Sequence, residues 1–318
     1  MTAPVPADCL MRLDHLRVLA LEGADTAAFL QGQLTCDVAA LAPGRAGLGA
    51  WCSAKGRALA SFVLWTDGAR HYLVLPEVLA APIAKRLAMF VLRAKVRVSQ
   101  ADLACFGLRG AAAAPLLAGL LDRVPAAPWG QSSQGERQLV ALPEAAGGPR
   151  WLLCLPAADL AGFDAASAAL PRADAELWRW LDIRAGLPQV LPATQDKFVP
   201  QMLNLEALDG VSFRKGCYPG QEVVARSQFL GKLKRRTLLA HAAALPPAAG
   251  SDVLDATGNP AGLVVNAAAA PTGGSDLLVE VQLEGRAEPL RLPDGAELAL
   301  SAPPYPLPDN EVFVRPRL

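Results

Sequence analysis

The chain has 318 residues, enough for two or three domains, and its 52% hydrophobic and 19% charged content is that of a folded protein with a sizeable core. Its 30 basic and 30 acidic residues cancel, which excludes a global field for nucleic acid and leaves only a local patch for that purpose. The N-terminus lacks the basic and apolar regions of a signal peptide, and the six cysteines, at 9, 36, 52, 105, 154 and 217, form no Cys-x-x-Cys, so we expect free thiols, a cytoplasmic protein and no metal site of usual spacing.

In chain order, 16–21 reads as a strand. Asp25 is an N-cap candidate for a helix whose apolar stripe is Ala27, Leu30, Leu34 and Val38, with Gln31, Gln33 and Asp37 on its other faces. Strands follow at 47–53 and 59–65, joined through Ala54-Lys55-Gly56-Arg57, and Asp67-Gly68 signals a hairpin into 71–75. Lys55 and Arg57 at that turn are either solvated surface or a clamp for a carboxylate or phosphate. Ile83, Leu87, Phe90 and Val91 mark a helix, and 96–98 a strand. Hairpin-linked strands with intervening helices give an α+β class.

A strand at 103–108 and a helix at 111–121 open a second module. The Pro-, Gly- and Ser-rich 125–135 reads as a loop, 139–142 and 151–155 as strands, and an Ala-rich helix runs to 170. Residues 174–187 form a stronger helix ended by Gly186, with Trp178 and Trp180 assigned to core packing. Beyond 230, short apolar runs at 237–241, 263–266, 277–283 and 297–300 alternate with Gly- and Pro-rich turns, the pattern of a small antiparallel barrel. The uncharged stretch 256–275 is strand and turn, not a membrane span. Lys232, Lys234, Arg235 and Arg236 are either a solvated barrel edge or an anion-binding patch, because a strand divides them between two faces. His15, His71 and His241 have no metal-ligand spacing and read as structural. There is no internal repeat and no heptad pattern.

The stretch Lys215-Gly216-Cys217-Tyr218-Pro219-Gly220-Gln221-Glu222 concentrates chemistry. Pro219 suits the first position of a helix through Arg226, which puts Cys217 ahead of a helix N-terminus with Lys215 nearby. Both favour a thiolate. The competing reading is a Gly-rich turn holding a buried cysteine.

This octapeptide resembles the signature of the YgfZ family, folate-binding proteins related to the T-protein (aminomethyltransferase) of the glycine cleavage system. Gln31-Gly32-Gln33, Lys55-Gly56-Arg57, Arg184-Ala185-Gly186-Leu187-Pro188 and Phe198-Val199-Pro200-Gln201 with Asn204 agree in order, and the resemblance spans about residues 10–240. It implies a three-domain T-protein-like ring: 1–104 as an N-terminal folate-binding domain, 105–175 as a second α/β domain, 176–231 packing back on the first, and 232–318 as a β-barrel. It also implies a tetrahydrofolate site drawing on Gln33, Asp37, Lys55, Arg57, Gln201, Asn204, Gly216, Tyr218, Gly220, Gln221 and Arg226. Cys217, Lys215 and Glu222 would be the reactive group. The implied function is an accessory role in iron–sulfur cluster assembly or repair, with clients such as the radical enzyme that methylthiolates tRNA. Ala60 and Ser61 stand about where the T-protein has its acidic pair, which argues against aminomethyl transfer. Direct tRNA binding through the basic run is a third reading.

Overall fold

The computed structural model describes residues 4–229, 233–284 and 288–308. Lys232, one member of the basic run, lies outside the described residues.

Three sheets share one core. The first holds β2 (Leu16–Glu22), β3 (Ala46–Cys52), β4 (Ala58–Thr66), β5 (Arg70–Pro76) and β6 (Arg97–Gln100), in the order β3-β4-β5-β2-β6 and antiparallel throughout. The second is built on β7 (Leu103–Arg109), β8 (Gln131–Gln134), β9 (Arg137–Ala145) and β10 (Gly148–Pro156). It also takes in β1 (Cys9–Arg12) and β11 (Arg172–Ala173), which pair with each other in parallel. The chain's first strand therefore belongs to the second sheet, and the two α+β units interleave. The 125–135 stretch is not all loop: its last residues form β8, which turns into β9 at Gly135 (φ +59°).

Helix α1 (Thr26–Gln31) is shorter than its apolar stripe predicts. The chain leaves the helix at Gly32, and Leu34 bridges instead to Trp51 while Thr35 bonds the Ala50 carbonyl. The Asp25 carboxylate makes no cap and accepts from the Lys95 amide at 2.7 Å. Gln33 and Asp37 consequently sit on a loop, where the periodicity argument placed a helix. Helices α2 (Glu77–Ala88), α3 (Ala113–Ala118) and α4 (Leu160–Ala166) cover sheet faces with buried Leu79, Ile83, Leu87, Leu117 and Phe163.

Helix α5 (Ala175–Arg184) joins the three sheets. Asp174 caps it by accepting from the Glu176 amide at 2.9 Å. Trp178 lies so close to Gly107 that an added Cβ there would fall 2.3 Å from the indole. Trp180 donates to Asp276 of the third sheet at 2.7 Å. Both tryptophans are core residues, as their pattern predicts. Arg150, fully buried, pairs with Asp182 of α5 at 2.6 Å and stacks on Trp178 at 5.0 Å. Burial pushes the Asp182 carboxyl above its usual range, and Arg150 opposes the shift.

The third sheet is β12 (Arg235–Ala242), β13 (Asp252–Leu254), β14 (Pro260–Ala269), β15 (Ser275–Gln282) and β16 (Ala299–Ser301), in the order β13-β14-β15-β12-β16. The described residues form an open sheet, so the expected closed barrel is not seen in them. The segment that would close it makes only single bridges, Leu254 to Arg291 and Arg291 to Glu297. Both edge strands have three residues, too few for a continuous ladder. Among the described residues no helix is long and apolar enough to cross a membrane.

Candidate functional site

The signature stretch is held by contacts from three directions. Lys215 Nζ donates to the carbonyls of Leu34 (2.5 Å) and Cys36 (2.9 Å) and lies 5.1 Å from the Tyr218 ring. Its ammonium is thus directed at the loop after α1. Desolvation lowers its pKa, against the raising effect of Cys36 and Asp37. Tyr218 is buried beneath the loop, its hydroxyl has no hydrogen-bond partner among the described residues, and burial raises its pKa. Cys36 and Cys52 are buried nearby and pushed up to about 12 by desolvation, so both are neutral thiols at physiological pH.

The third contact is backbone on backbone. Gly220 (φ +78°) packs on the Ser53–Arg57 turn, where a Cβ on Gly220 would come 2.4 Å from both the Gly56 nitrogen and the Ser53 carbonyl. Gly56 (φ +69°) is the reciprocal partner, 2.8 Å from the Gly220 oxygen by the same construction. Only glycine fits this approach and this conformation at either position. Gly220 interrupts the helical path, so α6 (Gln221–Phe229) starts at Gln221 and Pro219 is not its first residue, as the sequence suggested. Gly216 has open space around it.

Cys217 is exposed, whereas the other five cysteines are buried. Glu222 and Arg226 are exposed on α6 and Gln221 is half-buried. Lys55 stands exposed at the turn that receives Gly220, and Arg57 donates to the Lys197 carbonyl.

The remaining residues singled out in the sequence make internal contacts. Gln33 accepts from Trp51 Nε1 at 3.3 Å, and Asp37 accepts from Gln31 at 2.9 Å and from the Ala40 amide at 3.3 Å. Gln201 is buried, donating to the Val224 carbonyl at 2.6 Å while its Oε1 has no partner among the described residues. Asn204, in the left-handed region (φ +56°), donates to the Thr237 carbonyl at 2.7 Å and accepts from Arg236 at 3.3 Å. Of the basic run, Arg235 pairs with Glu280 at 2.6 Å and Arg236 with buried Glu206 at 2.7 Å. Two of its four cations are therefore neutralised inside the protein and present no charge to a phosphate.

Three cavities form a row across the sheet junction. One of about 310 Å³ lies between α5, the start of α2 and the third sheet, with His15, Arg179, Asp182 and Gln189 in its wall and Val78, Ile183 and Leu191 as apolar lining. A cavity of about 40 Å³ shares Asp182, Leu187 and Gln189 with it and adds Ser61 and Trp178. A groove of about 500 Å³ shares Leu48 with the small cavity and is bordered by Cys36, Asp37 and Phe213. The sequence reading missed His15, Asp182 and Gln189. Both ring nitrogens of His15 are buried without a partner among the described residues. Its pKa is lowered to about 4, chiefly by desolvation and then by Arg179.

These residues suit a pterin. The 310 Å³ cavity is at the small end for organic ligands, and it combines apolar walls with the Asp182 carboxyl and the Gln189 amide. Among the described residues no group of three or more His, Cys, Asp and Glu is placed to hold a metal ion.

No family model matches the chain. A tRNA-modifying protein YgfZ of Colwellia psychrerythraea is 34% identical over 254 residues, covering 80% of this chain and 78% of its own length. The protein of the same name from Sodalis glossinidius is 36% identical, covering 77% and 75%, and that from Escherichia coli 34%, covering 77% and 75%. The glycine cleavage aminomethyltransferase T of Bartonella henselae superposes with a TM-score of 0.72 over 97% of this chain and 88% of its own, at 19% identity. The fold is thus that of the T-protein, and the chain belongs to the family of tRNA-modifying proteins YgfZ.

Proposed function

We propose that the protein is a tetrahydrofolate-binding accessory factor in tRNA modification. It serves an iron–sulfur client, such as a radical enzyme that methylthiolates tRNA, in the cytoplasm. The observation that carries this reading is the selective exposure of Cys217: one thiol is presented to solvent on a loop fixed by Lys215, Tyr218 and the Gly56–Gly220 contact, while five are buried. In this reading His15, Asp182 and Gln189 hold the pterin, and Arg179 in the same cavity wall is the cation for the acidic tail. Bound tetrahydrofolate supplies one-carbon chemistry. The chain supplies the nucleophile at Cys217 Sγ; on the first turn of α6, Glu222 is the group for moving its proton and Gln221 one for orienting the reactants.

A T-protein-like aminomethyltransferase is the weaker reading. Ala60 and Ser61 bring no carboxylate to β4, and the Ser61 hydroxyl is occupied, accepting from the Val190 amide at 2.9 Å. Replacing the cellular copy by Cys217→Ala and measuring methylthiolated nucleosides in bulk tRNA tests the main reading. Loss of the modification with unchanged protein level is expected, and full modification would overturn the role of Cys217. Titration of the purified chain with tetrahydrofolate tests the ligand separately: saturable binding weakened by Asp182→Asn is expected.

A further inference from the structure

The groove beside the signature loop is not used by the folate reading. It lies between the loop after α1 and residues 209–214, which are stitched together by Thr35: its hydroxyl donates to the Gly210 carbonyl at 2.6 Å, and its carbonyl accepts from the Ser212 amide. Arg45 and Arg214 line it, and neither has an ion-pair partner among the described residues. Asp37 and Asp209 add two carboxylates and half-buried Phe213 an aromatic ring, packed edge-on against Phe229 at 5.6 Å. The volume of about 500 Å³ accommodates a ligand of nucleotide size.

Both signs of charge and an aromatic wall narrow the ligand. A dicarboxylate would meet two like charges and gain nothing from Phe213. A nucleotide meets all three features: guanidinium groups for its phosphate, carboxylates to accept from exocyclic amino groups, and a ring for the base to stack on. A base held in a duplex cannot enter, so the nucleotide must come from an unpaired loop. Arg214 is three residues from Cys217, and the Cys36 carbonyl at the groove's border anchors Lys215. We propose that this groove binds one nucleotide of single-stranded RNA and seats it next to the exposed thiol. The proposal rests on the tRNA-modification reading for the nature of the polymer. It places RNA contact here, away from the basic run, whose Arg235 and Arg236 are paired internally.

The test is fluorescence anisotropy of the full chain with a labelled RNA stem-loop carrying an unpaired loop, at about 50 and about 200 mM salt. The stem-loop binds and weakens with salt, while the blunt duplex of the same stem binds at least about tenfold more weakly. Arg214→Glu and Arg45→Glu each lower affinity about tenfold or more, and Phe213→Ala does likewise through lost stacking. Lys85→Glu, the same charge change on the exposed side of α2, alters affinity less than about twofold. Equal binding of stem-loop and duplex, equal losses from Lys85→Glu and Arg214→Glu, or no binding at the lower salt would each overturn the proposal. The last result is also what a groove serving a protein partner would give. The nucleoside assay on Cys217→Ala is independent, so either reading can fail alone.

Discussion

The two glycines of the signature should respond oppositely to the same substitution. Gly220→Ala places a methyl group 2.4 Å from the Gly56 nitrogen and the Ser53 carbonyl, and both are backbone atoms that cannot swing aside. The residue also has φ +78°, a left-handed conformation that costs a non-glycine residue about 1–2 kcal/mol. Forcing the two strands of backbone apart adds about 1–3 kcal/mol of overpacking. The sum, about 2–5 kcal/mol, exceeds what one loop contact returns, so the loop should detach from the Ser53–Arg57 turn. Gly216→Ala meets no atom within 4 Å and carries no left-handed φ, so its effect should stay within about 0.5 kcal/mol. Urea denaturation followed by tryptophan fluorescence gives the two stability changes. Hydrogen exchange localises the first: amides of 50–57 and 213–224 should lose protection in Gly220→Ala and keep it in Gly216→Ala. Equal behaviour of the two variants would refute the claim that close glycine packing holds the loop.

Intact-mass analysis after brief iodoacetamide treatment of the native protein should show one added group, absent in Cys217→Ser, with the other five thiols reacting only after denaturation; faster labelling of Cys36 or Cys52 would contradict their burial. Lys215→Met leaves the carbonyls of Leu34 and Cys36 without their donor and should cost about 1–3 kcal/mol in urea denaturation, and an unchanged midpoint would show the ammonium is not an anchor. Glu206→Ala strands buried Arg236 and should cost about 3–5 kcal/mol, whereas the double variant Glu206→Leu, Arg236→Met should recover most of the loss; non-recovery would mean the charges are not the cause. His15 has a folded pKa of about 4 against 6.5 for the free side chain, so the unfolded chain binds the extra proton between those values. The associated stability is full above pH 6.5 and is lost as pH falls through about 4, and His15→Asn should flatten that slope of the stability profile.

The fold was legible where periodicity or capping acts locally. The Leu177, Trp180, Leu181, Arg184 face and the Gly186 stop announce α5, and the Asp67-Gly68 turn announces the β4–β5 hairpin. It was illegible where a distant partner decides. Leu34 and Val38 continue a helical stripe, yet Thr35 is claimed by Ala50 on β3 and by Gly210, and the helix stops at Gly32. The first strand escaped notice because four residues carry too little pattern, and its place is set by β7, far along the chain. Closure of the expected barrel was beyond the sequence for a related reason: turn spacing predicts strands but not whether the last segment closes the sheet, and the described residues show it open.

The site divides in the same way, and the division bears on what the signature encodes. Its composition suggests a catalytic cluster in which Lys215 acidifies Cys217. In the fold, Lys215, Tyr218 and Gly220 face inward to the α1 loop, the core and the Ser53–Arg57 turn, while Cys217 and Glu222 are left exposed. Most of the motif is thus a mount, and it leaves one sulfur exposed. The Lys55-Gly56-Arg57 turn belongs to the same mount, because Gly56 is the other half of the glycine contact. By contrast, the cavity residues His15, Asp182 and Gln189 lie on three separate stretches and are brought together by α5 and its fully buried partner Arg150. No local pattern marks them, since each is unremarkable among its sequence neighbours. A mount is written in consecutive residues and a cavity in the packing of distant ones, so the sequence named the first and concealed the second.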